Sequence, residues 1–203
     1  MRIALFGATG GTGRQVLAQG LANGHQIRAL ARSPDTLAPA PGLDVIAGDV
    51  LDQAAVDTCL SGTDAAICVL GSHGSAQPVE AEGSKRIIAG MQRLGIQRLI
   101  AVTSLGVGDS RDQVPGFFRV LMQLTLKKIM AAKEEQERLI RDSGLDWTIV
   151  RPGGLTDGPA TGRYRSGIDK SIQATRVSRA DVADFVLQQL LDARYLRQTP
   201  AVS

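Results

Sequence analysis

The chain has 203 residues, 43% of them hydrophobic and 21% charged, which is enough to bury a full core in one globular domain. Its formal net charge is only +3, with Lys and Arg scattered, so small anionic ligands suit it better than nucleic acid. Two cysteines without zinc-type spacing and two histidines argue against a structural metal site and a disulfide framework, and point to a reducing cytoplasm.

Residues 3–6 form a short apolar run that predicts a strand, and Gly7-Ala8-Thr9-Gly10-Gly11-Thr12-Gly13 follows at once. A helix is expected over 12–23 from the periodic Val16, Leu17 and Leu21. Strand, glycine turn and helix together offer free backbone N–H groups and the positive end of a helix dipole to a pyrophosphate. In that reading Gly7 permits the tight turn, Gly10 lets the backbone approach the phosphates, and Gly13 lets the helix pack on the sheet. The alternative is an ordinary glycine-rich turn; the strand before and the helix after favour dinucleotide binding. The Gly-x-x-Gly-x-x-Gly spacing resembles extended and atypical members of the short-chain dehydrogenase/reductase superfamily.

A second strand over 26–31 ends in Ala31-Arg32-Ser33-Pro34. An NAD-preferring site usually carries an acid here for the ribose hydroxyls, whereas Arg32 and Ser33 suit the 2′-phosphate of NADP. Residues 37–42 read as a loop, and a third strand over 44–47 leads to Gly48-Asp49-Val50. Asp49 is a candidate acceptor for the adenine amino group, with Val50 covering the ring; a turn or N-cap role before the next helix is the other reading of Asp49. After a helix over 53–60, a fourth strand over 65–70 closes with Leu70, Gly71, Ser72 and His73, small residues that admit the nicotinamide half. His73 either touches the cofactor or is an exposed loop histidine.

Further along, a helix is expected over 79–94, a strand over 99–103 ending in Thr103-Ser104, a long helical region over 114–143, and a strand over 147–150 running into Arg151-Pro152-Gly153-Gly154-Leu155. Residues 158–170 read as a substrate-side loop or hairpin, and 172–177 as a short strand. Ser178 is the expected N-cap of a last helix over 179–191, with a short tail beyond. Apolar strands alternating with helices give an α/β fold: a single-domain Rossmann fold, a doubly wound parallel sheet with helices on both faces. The substrate then sits near the cofactor, beside a small region at about 152–180. No secretory signal is expected, because the first apolar run is short and leads into the glycine loop. No membrane role is expected either, since even 117–126 is interrupted by Arg119 and Gln123.

Short-chain dehydrogenases use Ser, Tyr and Lys at the nicotinamide. Ser104 and Lys133 occupy the Ser and Lys positions here, but the Tyr position is Ile129. Alcohol–ketone chemistry needs that proton donor. A conjugated acceptor takes hydride, spreads the charge and collects its proton from solvent, so catalysis rests on positioning. Alternatively Ser104 only caps the strand end, and Lys133 belongs to a charged helix face on which Glu134–Arg138 and Glu137–Arg141 have the spacing of solvated pairs. Phe117, Val120, Leu121 and Leu124 share one helix face, either as core or dimer contact or as a lid over a planar substrate. In the lid reading Arg119 and Arg176 pair with its phosphate or carboxylates.

Residues 3–13, Val45-Ile46-Ala47-Gly48-Asp49-Val50-Leu51, 64–71, Glu82-Gly83-Ser84, Thr103-Ser104, Ser143-Gly144-Leu145, Thr161-Gly162, Arg176-Val177 and Asp181 resemble, in order, the biliverdin-IXβ reductase/flavin reductase family. The likeness is shared more loosely with sugar-epimerase-like NAD(P)-binding proteins. It implies one Rossmann domain, NADPH as cofactor, and hydride transfer to flavin (FMN or riboflavin, as substrate rather than prosthetic group) or to a linear tetrapyrrole such as biliverdin. The mammalian-type reductase carries a bulkier residue and a histidine where Gly153 and Gly154 stand, so the nicotinamide end is expected to be more open. A planar small-molecule acceptor is the expected partner, and a monomer or homodimer the expected assembly. A non-catalytic NADP(H)-binding sensor or assembly factor, and a reductase of a quinone or small conjugated carbonyl, are the alternatives.

Overall fold

A computed structural model describes residues 1–72, 78–116 and 127–203. Strands β1 (Arg2–Phe6), β2 (Gln26–Ala31), β3 (Leu43–Ala47), β4 (Ala65–Cys68), β5 (Arg98–Val102) and β6 (Asp146–Pro152) alternate with helices α1 (Gly11–Ala22), α2 (Gln53–Leu60), α3 (Glu80–Leu94) and α4 (Lys127–Arg141). Short strands β7 (Gly154–Thr156), β8 (Ser166–Gly167) and β9 (Arg176–Ser178) precede helix α5 (Arg179–Gln188), and β10 (Ala201–Val202) follows it. The main sheet runs β3-β2-β1-β4-β5-β6-β10-β8, with β7 and β9 forming a separate pair. Every pairing in it is parallel except β10 with β8. This is the expected doubly wound Rossmann arrangement.

Two cores follow from strand alternation. On one face Ile3 and Leu5 of β1 pack with Val16 and Leu17 of α1 and Phe185 and Val186 of α5. On the other, Ala4 and Phe6 pack with Val56 of α2, Ile87 and Met91 of α3 and Ile140 of α4. No described helix is long and apolar enough to cross a membrane. Cys59 and Cys68 are both free and buried.

The turn between β1 and α1 tolerates no side chain at its two ends. Gly7 has φ +91°, a left-handed value, and a Cβ there would stand 2.4 Å from the Val69 carbonyl oxygen. A Cβ on Gly13 would stand 2.0 Å from the carbonyl oxygen of Gly7.

A buried ion pair fastens the far side of the sheet. Glu137 of α4 and Arg151 of β6 have side chains only 1% and 3% exposed. Arg151 donates to Glu137 through Nε at 3.0 Å and Nη2 at 2.6 Å, and Thr103 Oγ1 donates to the same carboxylate at 2.8 Å. Arg141 and Asp109 complete the network, at 3.0 Å from Glu137 and 2.8 Å from Arg151 respectively. Burial opposes the charge on Arg151, but Glu137 and Asp109 outweigh it and raise its pKa. The reading of Glu137–Arg141 as a solvated pair is therefore corrected: the contact exists, but Arg151 and Thr103 bury its carboxylate. Glu134 pairs with Arg111 at 2.9 Å, while Arg138 turns to Glu135 and Asp142.

Several expectations shift towards the end of the chain. The strand predicted over 172–177 is formed by Arg176–Ser178, because the preceding residues are engaged elsewhere. Ile172 packs with Leu105 and Val114, and the Ala174 amide bonds the Gln113 carbonyl at 2.7 Å. The segment after the last helix is more than a tail: Ala201–Val202 enters the sheet between β6 and β8. The 158–170 segment supplies β8 to that strand instead of folding back on itself. Ser178 is the N-cap, its side chain accepting from the Asp181 amide, but the last helix ends at Gln188 and leaves Leu191 80% exposed. Of the region predicted helical over 114–143, Lys127–Arg141 is helix. The proposed lid residues Phe117, Val120, Leu121 and Leu124, with Arg119, lie outside the described residues.

Two substitutions, each with a control, test these contacts. Gly13→Ala should lose about 1–3 kcal/mol of stability through overpacking against Gly7, while Gly158→Ala, which meets nothing closer than 3.9 Å, should be neutral in the same thermal melts. Glu137→Ala should cost about 3–5 kcal/mol in urea unfolding by stranding a buried guanidinium. Glu134→Ala, which removes one exposed ion pair, should cost less than about 1 kcal/mol.

Candidate functional site

A cavity of about 700 Å³ opens at the carboxyl ends of β1, β2 and β4, where a doubly wound sheet places its ligand. Of the residues expected at a cofactor, Gly7, Thr9, Gly10, Gly11, Arg32, Asp49, Val50, Leu70, Gly71 and Ser72 line it. Phe6, Leu30, Ala31, Gly48, Val69 and Val79 complete the wall. Thr12 and Gly13 sit behind it, buried in the first turn of α1. Ser33 is exposed beside Arg32, and its carbonyl accepts both the amide and the hydroxyl of Thr36. Thr103, Ser104, Pro152, Gly153, Gly154 and Leu155 lie at and beyond the ends of β5 and β6, outside this lining. His73 is outside the described residues.

The α1 terminus fits a phosphate group. Its N-cap is Gly10, which supplies no capping side chain, and its first turn holds no acid. The first helical bond runs from the Arg14 amide to the Gly10 carbonyl at 2.9 Å, so the amides of residues 11–13 have no partner within the helix. Uncapped N–H groups at the positive end of a helix are an anion site. Gly11 leaves room for the Arg179 side chain, whose Nε would stand 2.7 Å from a Cβ there. At the rim Arg32 is exposed and makes no hydrogen bond or ion pair among the described residues. Asp49 lines the cavity and also shapes a turn, its Oδ1 accepting the Leu51 amide at 2.9 Å. The N-cap of α2 is instead Asp52, whose side chain accepts from the Ala54 amide.

Sequence reasoning missed Glu80. This first residue of α3 is fully buried, and both its carboxylate oxygens hold Ser72: one accepts the Ser72 amide at 3.0 Å and the other its hydroxyl. The Ser72 hydroxyl in turn accepts the Val79 amide at 3.1 Å. One carboxylate thus fixes the cavity wall at Ser72 and Val79. The only signal available in the sequence was an acid at the start of a predicted helix, where the dipole favours it.

Lys133 on α4 is half-buried. Burial lowers its pKa, while the charges of Glu80, Cys68 and Glu137 act in the opposite direction. Ile129, one turn earlier, presents no proton donor. Of the two tyrosines, Tyr164 donates to Asp184 at 2.8 Å, and both tyrosines pack against the α1–α5 core rather than the cavity. The Ser104 hydroxyl donates to the Leu105 carbonyl at 3.0 Å.

Of the glycines at 153 and 154, the first has a packing reason. A Cβ on Gly153 would stand 2.5 Å from the Thr175 carbonyl oxygen and 3.0 Å from Ser203 Oγ, so this chain's own backbone fills the space expected to be open there. The Gly154 amide donates to the same carbonyl at 2.7 Å. Arg176 is exposed on β9 nearby. Asp181 gathers the 161–162 segment, accepting from the Thr161 amide and hydroxyl, the Gly162 amide and the Ser178 hydroxyl. Burial opposes the charge on Asp181, but these bonds outweigh it and hold its pKa below the usual range.

A model of the NAD(P)H-binding family matches residues 7–193. The uncharacterized sugar epimerase YhfK of Bacillus subtilis is 29% identical, over 94% of this chain and 88% of that protein. The (4-alkanoyl-5-oxo-2,5-dihydrofuran-3-yl)methyl phosphate reductase of Streptomyces griseus is 32% identical, over 74% of this chain but 46% of that protein. Among solved structures, the anaerobillin reductase ChuY of Escherichia coli O157:H7 superposes with a TM-score of 0.80 at 28% identity, covering 100% of this chain and 96% of that one. The chain belongs to the NAD(P)H-binding family, on a Rossmann scaffold.

Proposed function

We propose that this protein is an NADPH-dependent reductase of a planar conjugated acceptor, flavin or a linear tetrapyrrole. The observation that carries the reading is an uncapped α1 terminus opening into a cavity whose β2 rim holds Arg32 where an acid would select NAD. Similarity to a protein titled an anaerobillin reductase supports the acceptor class. The free, buried cysteines fit action in a reducing cytoplasm.

A nicotinamide held here would supply the hydride. The α1 terminus and the glycine loop bind the pyrophosphate. Arg32 and Ser33 hold the 2′-phosphate, and Asp49 and Val50 hold the adenine. Leu70, Gly71 and Ser72, fixed by Glu80, seat the nicotinamide half, which Thr103 and the segment from Pro152 to Leu155 border. Ser104 orients the acceptor or the carboxamide, and Lys133 holds the ribose. With Ile129 in place of a tyrosine, the proton reaches the reduced acceptor from solvent, and rate comes from holding donor and acceptor face to face. A small conjugated carbonyl is the second acceptor class, favoured by the likeness to a reductase whose name specifies an oxo-dihydrofuran substrate.

The purified protein should oxidise NADPH in the presence of FMN, riboflavin or biliverdin, followed as loss of the reduced-nicotinamide absorbance. Tight NADPH binding without turnover on these acceptors or on a quinone would refute a reductase and favour an NADP(H)-binding sensor. Arg32→Ala should weaken NADPH binding about tenfold or more, the scale of a lost charge-assisted bond, and leave NADH within about twofold in calorimetric titration. Equal weakening of both would remove Arg32 from the 2′-phosphate.

A further inference from the structure

Arg14, on the first turns of α1, sits between the two segments that flank the cavity rim. Its Nε donates to the Thr9 carbonyl at 3.0 Å and its Nη2 to the Thr36 carbonyl at 3.2 Å. Thr9 belongs to the glycine loop that lines the cavity. Thr36 ends the short turn Pro34–Thr36 that follows Arg32 and Ser33. One guanidinium therefore links the phosphate loop to the turn after β2.

Both acceptors are neutral carbonyls. A guanidinium has five N–H donors, and these two contacts use one on Nε and one on Nη2. No carboxylate pairs with Arg14 or with Arg32 among the described residues, although most other arginines here have one: Arg93 with Asp57, Arg111 with Glu134, Arg151 with Glu137, Arg179 with Asp157. The first turn of α1 holds no acid either. Two exposed cations, neither of them in an ion pair among the described residues, thus lie on the segments next to a positive helix terminus. Such a concentration of like charge is relieved by a bound anion. The tie to Thr36 places Arg14 on the β2 side, where the adenosine ribose lies in this fold. Because two bonds already hold its guanidinium, little further side-chain freedom is lost on engaging a phosphate.

We propose that Arg14 is a second guanidinium for the 2′-phosphate, acting with Arg32 as a specificity-determining residue for NADPH over NADH. The proposal rests on the NADPH reading given above. The alternative is that Arg14 only ties the two loops together, a role that serves NADPH and NADH alike.

The test is calorimetric titration of NADPH and NADH into the wild type, Arg14→Gln, Arg14→Lys and Arg32→Ala, with a thermal melt of each. Arg14→Gln should weaken NADPH about tenfold and NADH no more than about twofold. Arg14→Lys keeps the charge but loses the fork, so it should lower the NADPH-to-NADH affinity ratio about threefold. If Arg14→Gln folds poorly, the lysine variant decides by the same ratio. Parallel weakening of both nucleotides, or an unchanged ratio in the lysine variant, overturns the proposal. An unchanged ratio in Arg32→Ala overturns the NADPH reading itself; a changed ratio there with none at Arg14 leaves Arg32 acting alone.

Discussion

The carbonyl oxygen of Gly7 occupies the space where a side chain on Gly13 would stand, at 2.0 Å from an ideal Cβ. This contact sets the distance between the end of β1 and the start of α1. It aims the helix terminus at the cavity and lets α1 lie on the sheet against α5. The other pieces of the proposed cofactor site, at the ends of β2, β3 and β4, are arranged around that terminus. A larger residue at either glycine would move the helix and with it the one array of open amides that the cavity depends on.

The opposite side of the sheet depends on charge. Glu137 and Arg151 are removed from water together, and Thr103, Arg141 and Asp109 complete the set. Burying such a pair costs desolvation, which good geometry and extra hydrogen bonds offset. The pair joins α4, which carries Lys133, to β6 and to the end of β5, next to Ser104. The rigidity of the acceptor side is thus electrostatic, whereas that of the glycine loop is steric. With no tyrosine at Ile129, positioning is the remaining source of rate in the proposed reaction, and these two rigid frames provide it.

How much was legible in the sequence follows from the range of each interaction. Residues 26–31 and 53–60 were delimited correctly because alternation and helical periodicity are local. The glycine loop, Arg32 and Asp49 were legible because the order strand, turn, helix fixes where they emerge. Glu137 was misread because its spacing to Arg141 is local and its burial is not: Arg151 and Thr103 come from other elements. Strands β7 to β10 have two or three residues each, too few to show any period. Glu80 and Arg14 act through two contacts each, to one serine or to backbone carbonyls, and such contacts leave no pattern along a chain.

The wall of the cavity runs from Phe6 to Val79. The described residues that line it all precede α3. The segments after β5 and β6, which border the acceptor in the proposed reaction, come later in the chain and are held by contacts through Glu137, Asp181 and Thr175. The two sets of segments meet where Arg179 of α5 lies against Gly11 of the glycine loop. A change in the last helix that moves Arg179 therefore reaches the first loop of the chain, so the two ends of the sequence share one constraint.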